Sequence, residues 1–106
     1  MKKSIYTIRG EVWLYPGETG NWHFVTVPKK ESVAIKKRFG ALKRGWGSLP
    51  VTVTIGETKW QTSIFPDKKI GGYVLPLKAD VRKKEGVTNG ATITFLLEIR
   101  ARSRME

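Results

Sequence analysis

Acid–base, nucleophilic and metal chemistry each need particular side chains held at short range, and this 106-residue chain offers few of them. His23 is its single histidine, set between Trp22 and Phe24 in a β-branched and aromatic run. A catalytic imidazole needs a carboxylate to orient it and a nucleophile or substrate within hydrogen-bond reach. No local Ser or Asp constellation supplies either, so a structural or surface role is expected for His23. The absence of cysteine removes disulfides, thiolate ligands and cysteine nucleophiles together. The nine carboxylates are scattered, with no pair at metal-ligand spacing. Asp80 and Glu85 fall among Lys78, Arg82, Lys83 and Lys84, where ion pairing is the simpler use. The expectation is no catalytic residue, no metal and no cofactor.

What the chain holds in quantity is positive charge. Twenty Lys and Arg stand against nine Asp and Glu, a net +11. The segment Arg100 to Glu106 has three arginines and one glutamate, so the remainder still carries +9. Charge of this size fits a polyanionic partner such as nucleic acid or anionic lipid, or serves solubility alone. Between Lys29 and Arg44 lie seven basic residues and one acid, Glu31, including Lys36, Lys37, Arg38, Lys43 and Arg44. Arg82, Lys83 and Lys84 form a second cluster. Gly45-Trp46-Gly47, beside Lys43 and Arg44, can offer backbone N–H groups to a phosphate, although no Walker or dinucleotide fingerprint surrounds it. Exposed aromatics beside basic residues suit single-stranded nucleic acid, since bases stack on rings while Lys and Arg follow the backbone. Trp46 is the best placed of the four tryptophans. Trp22 and Trp60 lie in strand-like runs and are expected in the core. Trp13 falls on the more polar face of its strand, exposed or packed under a helix.

These residues need elements to hold them. Tyr6, Ile8, Gly10, Val12 and Leu14 alternate along one face of a strand, with Thr7, Arg9, Glu11, Trp13 and Tyr15 on the other. Pro16 to Asn21 is dense in turn formers, and Trp22 to Val27 reads as a second strand stopped by Pro28. Ser32, Ile35, Phe39 and Leu42 then recur at helical spacing, predicting a helix near 29–39. Lys43 to Gly47 reads as a mobile basic loop. Val51, Val53 and Ile55 alternate with threonines, and Gly56 to Lys59 turns the chain into Trp60 to Phe65. Tyr73 to Leu77 follows, with Pro76 pointing to an edge or bulge. A short helix over 79–85 ends at Gly86, and Asn89-Gly90 leads into the last strand, Ala91 to Ile99. Ile35-Lys36-Lys37-Arg38-Phe39-Gly40 echoes Val81-Arg82-Lys83-Lys84-Glu85-Gly86. The echo reflects either two halves about a pseudo-twofold axis or two amphipathic helices converging on one pattern.

Trp60-Gln61-Thr62-Ser63-Ile64-Phe65-Pro66, Tyr73-Val74-Leu75-Pro76-Leu77-Lys78 and Val81-Arg82-Lys83 resemble the bacterial and archaeal family called domain of unknown function nineteen-oh-five. Gly10-Glu11-Val12, Trp22-His23-Phe24-Val25, Val27-Pro28 and Gly47-Ser48-Leu49-Pro50-Val51 resemble it too, in consistent order from Tyr6 to Ile99. The resemblance implies a mainly β fold, a small closed six-stranded, double-split-like barrel with one or two short helices. Its members are often fused to a domain labelled OmpD-associated, which makes a protein-interaction role natural. Tyr73 to Leu97 is also similar to the strand–helix–Gly-Asp–strand unit of transition-state-regulator DNA-binding barrels. Asn89-Gly90-Ala91 departs from that unit, with alanine where aspartate is usual, and this puts the turn in question. Tyr73, Lys78 and Arg82 match positions of the family's motif, and Lys78 and Arg82 share a helix face at i, i+4. They either line an anion or ligand site or cap and solvate the helix.

One core and one domain, 1–106, suit this length, with 1–3 and 101–106 as loose tails. Met1-Lys2-Lys3 starts like a signal peptide, but Arg9 and Glu11 interrupt any apolar stretch. No uncharged apolar run approaches the roughly 18 residues of a membrane span. A cytoplasmic protein is expected. Three readings of its role stand: a non-catalytic module binding nucleic acid or another polyanion, a protein-interaction domain, and a small-ligand carrier or unrecognised enzyme.

Overall fold

Apolar alternation along long strands sets the architecture. The computed structural model describes residues 4–17 and 20–101. Its elements are β1 (Ile5–Gly17), β2 (Gly20–Thr26), α1 (Lys29–Phe39), β3 (Leu49–Ile55), β4 (Thr58–Asp67), β5 (Gly72–Pro76), α2 (Ala79–Glu85) and β6 (Thr92–Ile99). The strands form a closed antiparallel barrel in the order β1-β2-β5-β4-β3-β6. Closure follows from two strands long enough to serve two partners. β1 pairs with β6 from Ile5 to Glu11 and with β2 from Val12 to Gly17. β4 pairs with β3 from Thr58 to Ile64 and with β5 from Phe65 to Asp67. The pairs β2–β5 and β3–β6 complete the ring. Gly10 sits close to where β1 changes partner, and a Cβ there would lie 2.9 Å from the carbonyl oxygen of Thr26.

Val12, Val25, Leu75, Ile64, Val53 and Leu97 point inward and are fully buried. Each such side chain stabilises the fold by roughly 1.5–3 kcal/mol relative to exposure. α1 closes one side of the barrel with Ile35 and Phe39, one turn apart. α2 buries only Val81 and ends at Gly86, whose φ of 64° and ψ of 35° give the left-handed cap that glycine favours.

The element order β-β-α-β repeats, and the hydrogen bonds repeat with it. Val27 N–H donates to the Tyr73 carbonyl, and Leu77 N–H, fifty residues on, donates to the His23 carbonyl, both at 2.9 Å. Ser32 N–H bonds to Pro28 O, and Arg82 N–H bonds to Lys78 O. Ser32 Oγ donates to Val27 O, and Arg82 Nε donates to Leu77 O. This is a pseudo-twofold arrangement about the Val25–Leu75 pair. The six-residue echo is nevertheless one helical turn out of register: the structure matches Pro28 with Lys78 and Ser32 with Arg82, whereas the echo matches Ile35 with Val81.

Other expectations change in detail. Pro76 is not on an edge, because the ring is closed; it is the last residue of β5, opposite Phe24. The segment after α1 is not an open loop but a short 3₁₀ turn, Gly40–Leu42, followed by a tight left-handed turn at Gly45–Gly47, with Arg44 N–H bonded to Ser48 O. The turn that lacks aspartate is held by backbone instead, with Gly90 N–H on Val12 O and Val12 N–H on Ala91 O, both 2.8 Å. Ala101 is buried, so the ordered body reaches into the expected C-terminal tail. The expected tails 1–3 and 102–106, and turn residues 18–19, lie outside the described residues. No helix among the described residues is long and apolar enough to cross a membrane.

Candidate functional site

Ser32 is the residue that fastens α1 to the sheet. It is 3 % exposed, and its Oγ donates to Val27 O at 2.9 Å while accepting the Tyr73 N–H at 3.0 Å. Gly72 permits the approach, since a Cβ there would fall 2.7 Å from that Oγ. Tyr73 is held beneath, 4 % exposed, and burial raises its phenol above the ordinary 10.0. The phenol therefore remains a neutral donor at physiological pH. Above this wall opens a cleft of about 590 Å³. Lys36 of α1, Lys43 of the segment that follows α1 and Lys68 of the β4–β5 hairpin line it, with Tyr73 and Pro66 among the other lining residues. Asp67 is the single acid in the lining, and its Oδ1 already accepts the N–H groups of Lys69 and Ile70 at 2.9 and 3.0 Å.

Trp46 stands by this cleft on a strained backbone. It has φ 64° and ψ 15° and is 93 % exposed, so the left-handed conformation is not compensated by burial of the ring. For a bulky residue that conformation costs about 1–2 kcal/mol. Gly47, next in the chain, lines the cleft, and a Cβ on it would lie 2.9 Å from Pro66 Cγ. Strain of this kind concentrates at functional sites.

A second concavity, about 390 Å³, adjoins the first across Pro66, Asp67 and Lys68, which line both. Its other walls are Trp13, Tyr15, Phe24, Lys69 and Val74. The register places Trp13 opposite Phe24 and Tyr15 opposite Trp22 on the outer face of β1–β2, because the alternate residues Val12 and Val25 point into the core. Phe24 sits centrally, 5.1 Å from Trp13, 6.5 Å from Tyr15 and 6.5 Å from Trp22 between ring centroids. Trp22 is 58 % exposed, which corrects its expected place in the core; Trp60 is partly buried and does pack against the core. The signal for this face was present in the sequence: Trp13 and Tyr15 alternate with inward residues and lead through a turn to Trp22 and Phe24. Lys68 and Lys69 carried no signal, since a loop of lysines reads as a solvated turn.

The structure gathers some of the predicted site residues and separates others. Lys36, Lys43 and Tyr73 share the larger cleft. Lys37, Arg38, Arg44, Lys83 and Lys84 are exposed and are not among its lining residues. Tyr73 lines the larger cleft, on the α1 side, whereas Lys78 and Arg82, at the start of α2 toward the other end of the β2–β5 ribbon, are not among its lining residues. Four strand residues, about 13 Å, separate the two helix starts. Arg82 Nε is engaged by Leu77 O at 3.2 Å, and Lys84 pairs with Asp80 at 3.6 Å, so α2 spends part of its charge internally. His23 is half-buried opposite Leu14, with Nδ1 enclosed and without a hydrogen-bond partner among the described residues. Among the described residues no three His, Asp or Glu side chains gather where a metal ion could sit.

A six-stranded closed antiparallel barrel with two short helices and a lysine-lined cleft defines a small barrel-domain protein. Residues 9–97 match the family model described as a domain of unknown function (DUF1905), and the chain belongs to that family. No curated protein matches it.

Proposed function

We propose that this barrel is a non-catalytic module that binds a polyanion, nucleic acid foremost, on the face bearing α1 and the β4–β5 hairpin. The observation that supports this reading is the convergence of Lys36, Lys43 and Lys68 from three separate elements on one cleft, facing a single acid whose Oδ1 is already engaged. Lys37, Arg38, Arg44 and the α2 cluster of Arg82, Lys83 and Lys84 extend the field without lining the cleft. Affinity in such a module comes mainly from phosphate neutralisation and counterion release.

Fluorescence anisotropy with labelled oligonucleotides across a salt series tests it. Binding is expected to weaken linearly on a log–log plot as salt rises. Converting Lys36, Lys43 and Lys68 together to glutamine lowers the single-strand slope by about 2, at roughly 0.7 per phosphate contact. Absence of binding at low salt, or an unchanged slope in the triple variant, overturns the reading and leaves the charge as a solubility feature.

A further inference from the structure

We propose that the outer face of the β1–β2 hairpin is a stacking platform for unpaired bases, which makes the module selective for single-stranded nucleic acid. The inference rests on the polyanion reading above and adds to it a second, uncharged site. Trp13, Tyr15, Trp22 and Phe24 occupy one sheet face as two cross-strand pairs. Trp22 and Phe24 lie within 14° of parallel, Trp13 is tilted 33° from Phe24 and Tyr15 stands at 72° to it, so the rings offer separate stacking surfaces and not one flat plane. Tyr15 and Trp22 are each 58 % exposed, a large aromatic area to leave in water without an occupant. The indole N–H of Trp13 is satisfied by Thr26 Oγ1 at 2.9 Å, so what that ring offers a ligand is its π-face and not its polar edge.

Charge chooses among occupants of an aromatic face. Lys68 and Lys69 line the concavity beside Trp13, Tyr15 and Phe24, and Lys68 also lines the larger cleft. A sugar would need several planar side-chain acceptors, and the single carboxylate lining this concavity, Asp67, has Oδ1 occupied by two backbone N–H groups. Lysines beside bare rings instead match a strand of phosphates carrying flat bases. Geometry selects the unpaired form. The two ring pairs are two residues apart along their strands, about 7 Å, double the roughly 3.4 Å base spacing in one strand of a duplex. An extended single strand meets that spacing; a duplex has its bases stacked on one another and unavailable. The path for the chain then runs from the rings over the Pro66–Lys68 ridge to Lys36 and Lys43, with Trp46 close by.

The test uses the whole chain, with a labelled oligo-dT, a duplex of equal length and heparin as probes. Both Trp22→Ala and Tyr15→Ala act on exposed rings, and thermal melting of each checks that the barrel persists. The expected result is wild-type preference for oligo-dT over duplex, a loss of about fivefold or more in oligo-dT affinity per ring removed, and unchanged heparin and duplex binding. The salt slope stays the same, because no charge is removed, and Trp22→Phe restores part of the loss. Equal binding of oligo-dT and duplex by the wild type, or oligo-dT affinity unaltered in both variants, overturns the platform. So does retention of an acidic peptide through Trp22 without oligo-dT binding, which would make the face a protein-docking surface. Loss of heparin binding by the wild type overturns the polyanion reading itself, so the two failures are distinguishable.

Discussion

Replacing Ser32 by alanine removes the fastening between α1 and β5 and tests whether the cleft wall is built as described. Two hydrogen bonds disappear, and the Tyr73 N–H is left buried without its acceptor. An unsatisfied buried group costs about 1–3 kcal/mol. Alanine is the better helix former, and at a helical position returns about 0.5 kcal/mol. The net loss is then about 1–2 kcal/mol, and for a domain of this size each kcal/mol moves Tm by about 4–8 °C, so Tm falls by about 5–15 °C. Arg82→Ala is the matched control, because Arg82 occupies the pseudo-equivalent position. Its single bond to Leu77 O, 3.2 Å and only part-buried, can be replaced by water, and its loss should cost under about 1 kcal/mol. Thermal and urea unfolding followed by tryptophan fluorescence measure both, with amide exchange at Tyr73 as the local readout. Ser32→Ala should melt clearly below Arg82→Ala, with faster exchange at the Tyr73 amide. A shift under about 2 °C, or one equal to that of Arg82→Ala, would refute the assignment of Ser32 as the fastening.

Trp46→Gly should raise stability by about 1 kcal/mol by relieving the left-handed backbone, yet weaken oligo-dT binding; melting and anisotropy on the same sample check it, and a destabilised variant contradicts the strain. Tyr73→Phe should alter the alkaline limb of stability. The folded phenol holds its proton above 10.0, after the unfolded chain has released its own, so that contribution is complete below 10.0 and is lost as pH climbs through the folded value. The wild type should therefore lose stability relative to Tyr73→Phe from pH 10.0 upward until the folded phenol has titrated, and not below 10.0, as urea unfolding across an alkaline series would show.

The strands were legible in the sequence because inward residues such as Tyr6, Ile8 and Val12 keep strict alternation, and because Gly86 and Asn89-Gly90 mark ends that the backbone requires; their closure into a barrel was implied only by the family resemblance. The helices were legible from the Ser32–Ile35–Phe39 stripe and from the proline at its start. The register of the repeat was not, since it is fixed by backbone bonds such as Leu77 to His23, which leave no mark in residue type. The exposure of Trp22 was missed for a related reason. Alternation assigns a residue to a face, and only hairpin register shows that this face bears Trp13, Tyr15 and Phe24 rather than the core. The larger cleft was partly legible through Lys36 and Lys43. Lys68 reaches it because β5, which follows it, packs against α1, a contact separated by about thirty residues of chain and invisible to local pattern.

The central claim is that a polyanion lies along the cleft and ring face on either side of the Pro66–Lys68 ridge. The four indole N–H signals of the protein report on it directly when an oligonucleotide is titrated in and followed by NMR. The account predicts that the signals of Trp13, Trp22 and Trp46 move together with the amides of Lys36, Lys43 and Lys68, while Trp60 and the α2 amides of Arg82 to Lys84 remain nearly still. Shifts confined to α2, or spread evenly over every lysine with the three indoles unmoved, would contradict it.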